Sequence, residues 1–499
     1  MQAGLDRQAM YLSIYRYIYT TAPLFGKFHS ALKPVLQRLR AQPLHHLESL
    51  LAGRLKPAHL RPNPTQQNSR QRLFTPKLSF LAFLDQTLNP GSPCRQALRQ
   101  IRAYYQPFPH PPTLDDNTSA YCQARGRWSV DELVAIRRDL AAGLSLPLNS
   151  PLPTHGRELK VLDGTCLTVP DTAANRQAYG YPPRTRPLCG FPVLRAVGCF
   201  SLANGSLLEL SHGAYRTSEN ALFKQLWPTL CPGDLILGDR NFSSWAVLAS
   251  LRQLQVDGLF RCHASRDADF RQGRPLGPNE RLVTWAKPKA RGRNFTPEQW
   301  AALPATLTVR LLRFKIATAA SRCQEVILVT TLLDRQLWPL QLLAQWYARR
   351  WKIELHLDDL KTTLGLDQLS CLSPTMVEKE LQMHAIAYNL IRSLMAEAAS
   401  TCAVPLDRLS FKGTLDTARE YSRIIVRIPR SHRHVRQRIY ADLLAAIAAD
   451  PVPDRPNRYE PRSQKHRRKA FPNLVRPRAI LRQEFLKRSN PPKTTQPLS

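Results

Sequence analysis

The stretch from residue 159 to 239 constrains the fold more than any other. Leu159–Leu162, apolar but for Lys160, is a short strand-like run that ends at Asp163. Val193–Phe200 and Ser206–Ser211 are two further runs joined through Asn204-Gly205. An Asn-Gly step between apolar runs is a strong hairpin signal, because both residues tolerate the positive φ of a tight turn. Glu219–Leu230 has helical spacing, and Leu235-Ile236-Leu237 is a buried strand that closes on Gly238-Asp239. The order is three strands, a helix and a fourth strand. Acids end the first strand and the last.

Charge narrows the partners. The 499 residues carry 71 Lys plus Arg against 37 Asp plus Glu, a net charge of +34. So large an excess repels itself in a compact state, and a polyanion relieves it. Nucleic acid comes first and an anionic membrane surface second, but no apolar run is long enough to span a bilayer. The opening residues mix Tyr, Arg and Lys into their apolar positions and lack a signal-peptide pattern, so a cytoplasmic protein is expected. Ten cysteines lie singly, never as Cys-x-x-Cys, which suits buried thiols better than zinc ribbons or disulfides.

The remaining patterns divide the chain. Residues 1–72 read as a helical N-terminal region with a linker at Arg61–Arg72. Residues 73–150 read as a helical DNA-binding domain, with amphipathic segments Leu78–Leu88 and Arg95–Tyr105 around Asn89-Pro90-Gly91-Ser92-Pro93 and a helix at Val130–Gly143. That outline fits a helix–turn–helix or a plain helical hairpin equally. A core spans 151–400, with a β-rich insertion at about 265–320 that opens on a basic loop, Arg271–Arg293, and returns at Val326–Leu332. One long helix is expected from about Pro339 to Leu364, then helical patterning from Met376 to Ala399. Residues 401–499 are helical and basic, and the Arg-, Lys- and Pro-rich stretch from Arg455 is expected to be mobile without a partner.

Chemistry concentrates in Trp346-Tyr347-Ala348-Arg349-Arg350-Trp351-Lys352-Ile353-Glu354 and on to Lys361. On a straight helix Tyr347, Arg350, Glu354 and Lys361 fall within roughly 60° of arc. A carboxylate would then hold a metal while Arg, Lys and Tyr grip phosphates. A solvated face with Arg–Glu pairs has the same pattern, and Asp358 shares the stripe. Asp163 and Asp239 tip the balance. Cleaving and joining phosphodiesters needs an activated oxygen and a stabilised pentavalent phosphorus, and two divalent ions held by a few carboxylates supply both.

The spacing of Tyr, Arg, Glu and Lys, with two, three and six residues between them, resembles the signature of the insertion-sequence-four family of bacterial DDE transposases. Lys160-Val161-Leu162-Asp163-Gly164-Thr165 resembles the family's first-acid segment and Leu237-Gly238-Asp239-Arg240-Asn241-Phe242 its second. The resemblance covers about residues 75–400. It implies an α/β fold with a ribonuclease-H-like core and a β-rich insertion, flanked by helical N- and C-terminal domains. It implies that Asp163, Asp239 and Glu354 are catalytic and bind Mg²⁺ or Mn²⁺, two ions in all. Tyr347, Arg350 and Lys361 would contact the DNA end. The last two acids stand 354 − 239 = 115 positions apart, and the stretch between them matches the position of an insertion that supports a flipped base and hairpin formation in relatives, with Trp285 as the candidate stacking residue. The implied function is cut-and-paste transposition of an insertion sequence: cleavage at the terminal inverted repeats, then strand transfer into target DNA. A homodimer on paired ends is implied, in a bacterial, nucleoid-associated setting.

Other readings remain. Arg433, His434, Arg436 and Tyr440 faintly suggest a tyrosine recombinase, but one crowded basic run lacks the well-separated Arg and His residues such enzymes need. His212 and His263 have no partner at metal-ligand spacing. No phosphate-binding Gly-rich loop is present, so no nucleotide cofactor is expected. A nuclease of the same fold that cuts without joining, or a catalytically silent DNA-binding regulator, would share most of these features. Intact acids argue against the latter.

Overall fold

The computed structural model describes residues 44, 47, 54–60, 73–105, 112–144, 154–263, 268–316, 324–429, 431–453 and 473–489. Most of the expected N-terminal region 1–72, and residues 454–472 of the tail, lie outside the described residues.

Among the described residues four α-helices precede the sheet: α1 (Pro76–Leu88), α2 (Cys94–Tyr105), α3 (Ser119–Gly126) and α4 (Val130–Gly143). α1 starts with Pro76 in its first turn and the Thr75 hydroxyl accepting from Leu78 N, both favourable at a helix entry. α4 carries a capping box: Glu132 N donates to Ser129 Oγ at 3.1 Å, and Ser129 N donates to Glu132 Oε2 at 2.7 Å. From Leu78 to Leu88 only Gln86 of α1 is not buried, whereas Arg95 and Arg99 of α2 face solvent.

The core is one nine-stranded sheet in the order β3-β2-β1-β4-β5-β9-β8-β7-β6. In chain order its elements begin with β1 (Leu159–Thr168), α5 (Ala173–Tyr179), β2 (Val193–Ser201), β3 (Leu207–Ala214), α6 (Glu219–Leu226), β4 (Leu235–Gly238), α7 (Trp245–Gln253) and β5 (Asp257–Arg261). β1, β4 and β5 are parallel, while β2 and β3 run antiparallel to their neighbours. The Asn204-Gly205 turn joins β2 to β3 with Gly205 at φ 71°, as its residue types require. α7 and β5 were not legible in the sequence.

The insertion is not a separate unit. β6 (Arg274–Gly277), β7 (Glu280–Ala286), α8 (Pro297–Ala301), β8 (Thr306–Ile316) and β9 (Gln324–Thr330) extend the same sheet through the antiparallel β5–β9 pairing. The expected basic loop Arg271–Arg293 contains the β6–β7 hairpin. Glu280 of that hairpin is buried against Arg310 of β8, which explains how a charged segment enters a sheet.

The expected single helix from Pro339 to Leu364 is three pieces: α9 (Leu340–Arg349), α10 (Lys352–Asp358) and a π-helical turn, Asp359–Thr363. Between α9 and α10 the bonding tightens: Arg350 N donates to Tyr347 O at 3.1 Å and Ile353 N to Arg350 O at 3.0 Å. Tightening adds about 20° per residue, and the π turn then loosens the coil. The four signature residues therefore do not form one straight stripe. α11 (Pro374–Thr401) is buried nearly all round and packs on α1, α4, α12 (Phe411–Arg427) and α13 (Arg433–Ala448). The tail, expected to be mobile, has a helix α14 (Arg478–Ser489) with an Arg476–Glu484 ion pair of 2.6 Å. Among the described residues no helix is long and apolar enough to cross a membrane.

The sheet has two buried faces. Val161 and Leu237 enter the core formed with α9, α10 and α11, whereas Leu162 and Ile236 enter the core formed with α6 and α7. Alternation along β1 and β4 assigns these faces.

Candidate active site

The β1–β4 register pairs Val161 with Leu237. Asp163 and Asp239 each lie two residues past this last β1–β4 pair, and the charge of Asp239 acts on Asp163; strand alternation carried that far puts both acids on the face of Val161 and Leu237. β4 stops at Gly238, while β1 continues to Thr168 paired with β2 alone, Asp163 opposite Gly198. Asp163 is thus not a strand end, as the sequence suggested. It is the point where β1 leaves β4. Asp239 ends its strand as expected and caps a single 3₁₀ turn, Arg240–Phe242, accepting from Asn241 N at 2.8 Å.

The two carboxylates interact. Burial pushes Asp163 up to about 6, with Asp239 and then Glu219 adding to the rise, while the Gly164 N–H (2.9 Å) and Arg350 oppose it. Arg350 is 6% exposed. Its guanidinium lies 5.4 Å from the Tyr347 ring centroid and 5.3 Å from that of Trp351, and its Nε has no hydrogen-bond partner. Tyr347 is 2% exposed, and burial raises its pKa. Its buried position supports Arg350 from below and leaves it little surface to offer a DNA backbone.

Glu354 is exposed on α10, one turn beyond Arg350. Among the described residues no three His, Cys, Asp or Glu side chains gather closely enough to hold one metal ion. The structure therefore brings together Asp163, Asp239, Arg350 and Tyr347, and does not bring Glu354 into a closed triad. The tightened turn at Arg350–Trp351 is the physical reason, since it rotates Glu354 off the line a straight helix would follow. Lys361 is half-buried in the π turn. Trp285 lies on β7 opposite Leu307, partly buried, and its backbone carbonyl accepts from Trp245 Nε1 at 3.3 Å.

Two features escaped the sequence reading. Glu219, in the first turn of α6, reaches Asn241 Nδ2 (3.4 Å) and lies against Gly164. Its only sequence signal was an acid in a helix's first turn, a common capping preference. The second is a cleft of about 260 Å³ whose walls include Asn220, Lys224, Trp227, Trp245, Phe295 and Trp300. Lys224 Nζ sits 4.4 Å from the Phe295 ring centroid there.

Acids at adjacent parallel strands, with a buried arginine beside them, have the chemistry to attract oxygen-ligated cations and phosphate. Residues 154–390 match the family model described as a transposase DDE domain. The chain is similar to curated insertion-sequence transposases. It is 28% identical over 286 residues to transposase InsG for insertion sequence element IS4 of Escherichia coli (strain K12), covering 56% of this chain and 62% of that one. It is 31% identical over 100 residues to putative transposase InsZ of the same organism, covering 20% and 33%. The chain thus spans less than two thirds of the length of these curated relatives. A cryo-EM structure of the piggyBac transposase synaptic complex with hairpin DNA aligns over 84% of this chain and 85% of that one, at 9% identity and a TM-score of 0.38. That score is too low to bear on function.

Proposed function

We propose that this protein is a DNA-cleaving and strand-transferring transposase that acts at the terminal inverted repeats of an insertion sequence. The observation that carries the reading is the match of residues 154–390 to a transposase DDE domain, within which Asp163 and Asp239 each follow a β1–β4 pair by two residues and interact electrostatically. The strand order β3-β2-β1-β4-β5, with β2 alone running against the other four, supports a ribonuclease-H-like core.

The donor set fits Mg²⁺ or Mn²⁺. All donors are oxygens, and such ions bind through one or two carboxylates with water and substrate phosphate completing the shell. A carboxylate held up to about 6 by burial and like charge is also one that a cation would relieve. Asp163 and Asp239 would hold the ions, with Glu354 joining from its exposed position on α10. Divalent ions held there supply Lewis-acid activation of the attacking oxygen and neutralise charge at phosphorus. Arg350, buried and with a free Nε, presents its donors to a phosphate oxygen. Gly164 N–H and Asn241 N–H orient the two Asp carboxylates. Lys361 adds backbone contact beyond Glu354.

A homodimer on paired DNA ends follows from the need for one site per end. The helices of 73–150 and the basic C-terminal region would grip DNA outside the core. Trp285 is proposed as a stacking residue for a displaced base, with the neighbouring cleft of Trp227, Trp245, Phe295 and Trp300 as the space for it. The test is cleavage and strand transfer on a labelled end duplex in Mg²⁺ and Mn²⁺. Asp239→Asn and Glu354→Gln should each abolish both products. Cleavage without joining would favour a nuclease of the same fold. Activity retained in either variant would remove that acid from the site.

A further inference from the structure

Two thiols distant in the chain meet beside a buried arginine. Cys94 opens α2 and Cys122 lies in α3, 28 positions apart, and the Cys122 thiol donates to the Cys94 sulfur at 3.8 Å. Both side chains are half-buried, so a small solute can reach them. Gln86 Nε2 of α1 also donates to Cys94, at 3.9 Å. Arg125, one turn beyond Cys122, is 8% exposed, and its guanidinium lies 4.7 Å from the Phe83 ring centroid. Its Nε has no hydrogen-bond partner. Among the described residues the groups acting on its charge are Cys371, Tyr121, Cys94 and Cys122, none of them a carboxylate. A buried guanidinium is costly unless an anion faces it. Cys94 is the group that can supply one. The Cys122 thiol, Arg125 and Gln86 hold it down at about 6 against the pull of burial, and a place in the first turn of α2 favours a thiolate further. Burial holds Cys371 and Tyr121 up, and the hydrogen bond to Cys94 holds Cys122 up.

We propose that Cys94 and Cys122 are a redox-active thiol pair that a peroxide converts to a disulfide, with Cys94 as the attacking sulfur and Cys122 as the resolving one. The Cys94 thiolate attacks one peroxide oxygen, so that an S–O bond forms, the O–O bond breaks and hydroxide leaves. Sulfur gives up two electrons and the peroxide takes them. The Cys122 sulfur then attacks Cys94, the S–S bond forms, the S–O bond breaks, and water leaves with the Cys122 proton. In sum two thiols and one hydrogen peroxide give one disulfide and two waters. The sulfurs have to close by about 1.8 Å, from 3.8 Å to the roughly 2.0 Å of a disulfide. The bond ties the start of α2, whose Arg95 and Arg99 face solvent, to α3, which Lys379 Nζ of α11 holds through the Gly126 carbonyl at 2.6 Å. It also removes the anion that faces Arg125.

The test treats the reduced full-length protein with one equivalent of hydrogen peroxide at neutral pH in EDTA, then maps its thiols by peptide mass spectrometry without reductant. A cross-linked peptide pair holding Cys94 and Cys122 should form, while the exposed Cys166 and Cys231 stay reduced. Dithiothreitol should return both thiols. In Cys122→Ser, dimedone should trap a sulfenic acid on Cys94, because the resolving sulfur is gone. In Cys94→Ser, neither the cross-link nor a dimedone adduct on Cys122 should appear. Wild-type protein that forms no such cross-link, with the peroxide consumed at Cys166 or Cys231 instead, would overturn the proposal. A dimedone adduct on Cys122 in Cys94→Ser would overturn the assignment of Cys94 as the attacking sulfur. Should either variant not fold, the wild-type peptide map decides by itself.

Discussion

Replacing Asp163 with Asn isolates the penalty of holding a charge at this site. The substitution preserves shape, and the amide oxygen can keep the 2.9 Å bond from Gly164 N. Asp163 rises from 3.8 to about 6, mainly through burial. That rise, 6 − 3.8 = 2.2, converts to roughly 3 kcal/mol at about 1.36 kcal/mol per pH unit, an upper bound because part of the carboxylate meets solvent. A carboxylate with a raised folded-state pKa stabilises fully below its unfolded value, and that contribution is lost as pH climbs through the folded value. Wild type therefore carries the whole penalty at pH 8 and regains roughly half of it at pH 5. Asp163→Asn should be the more stable protein at pH 8, and the gap should shrink by about half at pH 5. Urea midpoints in EDTA measure both. Asp359, which burial pushes up to about 7, contributes the same slope to both proteins and cancels in the difference. Adding Mn²⁺ at about 100 times its Kd should stabilise wild type by about 2.7 kcal/mol and the variant far less. A variant less stable than wild type at pH 8, or a gap that does not narrow at pH 5, would refute the reasoning.

Three further outcomes follow from other parts of the molecule. Gly205→Ala should destabilise by more than about 1 kcal/mol, since its φ is 71° and a methyl group would meet His356 at 2.6 Å and Arg392 at 2.7 Å; a denaturation midpoint reads this directly. Lys160→Met should cost on the order of 3–5 kcal/mol, because Asp234, 2.6 Å from Lys160 Nζ and 3% exposed, is left without its countercharge. Raising the variant's stability again by adding Asp234→Leu would support that cause, and no recovery would count against it. Trp285→Ala should lower the affinity for a DNA end carrying 2-aminopurine at the displaced base by roughly 1–3 kcal/mol and unquench its fluorescence. An unchanged signal would move the stacking role to another aromatic or remove it.

What the residues disclosed and what they hid divides along the line between local and tertiary causes. Asp239 was legible because Gly238-Asp239 directly follows an apolar run. The turn at Asn204-Gly205 was legible because few residue pairs accept its dihedrals. The extension of β1 past Asp163 was not, since it depends on β4 being only four residues long and β2 being nine. The break at Arg350–Trp351 was equally hidden. Every residue from Leu340 to Leu364 tolerates a helix, and the break is associated with the burial of Tyr347 and Arg350 against the sheet, which local propensity does not encode. Glu219 was concealed by a plausible local role at the start of α6.

The arrangement of the two aspartates rests on a parity argument that is stricter than proximity. Val161 pairs with Leu237, and each acid lies two residues beyond, so both side chains emerge on the same face. Adding one residue between Leu237 and Asp239 would turn Asp239 towards the core of Phe223, Phe242 and Trp245 while keeping it within a few ångströms of Asp163. Adding two would restore the face but carry the acid about 6–7 Å further along the strand direction, since extended chain advances about 3.3 Å per residue. Loss of Mn²⁺ binding with one inserted residue, and the same loss with two, would mean that both face and height matter. Survival of the one-residue insertion would mean that the 3₁₀ turn after β4, and not the strand register, sets where Asp239 points.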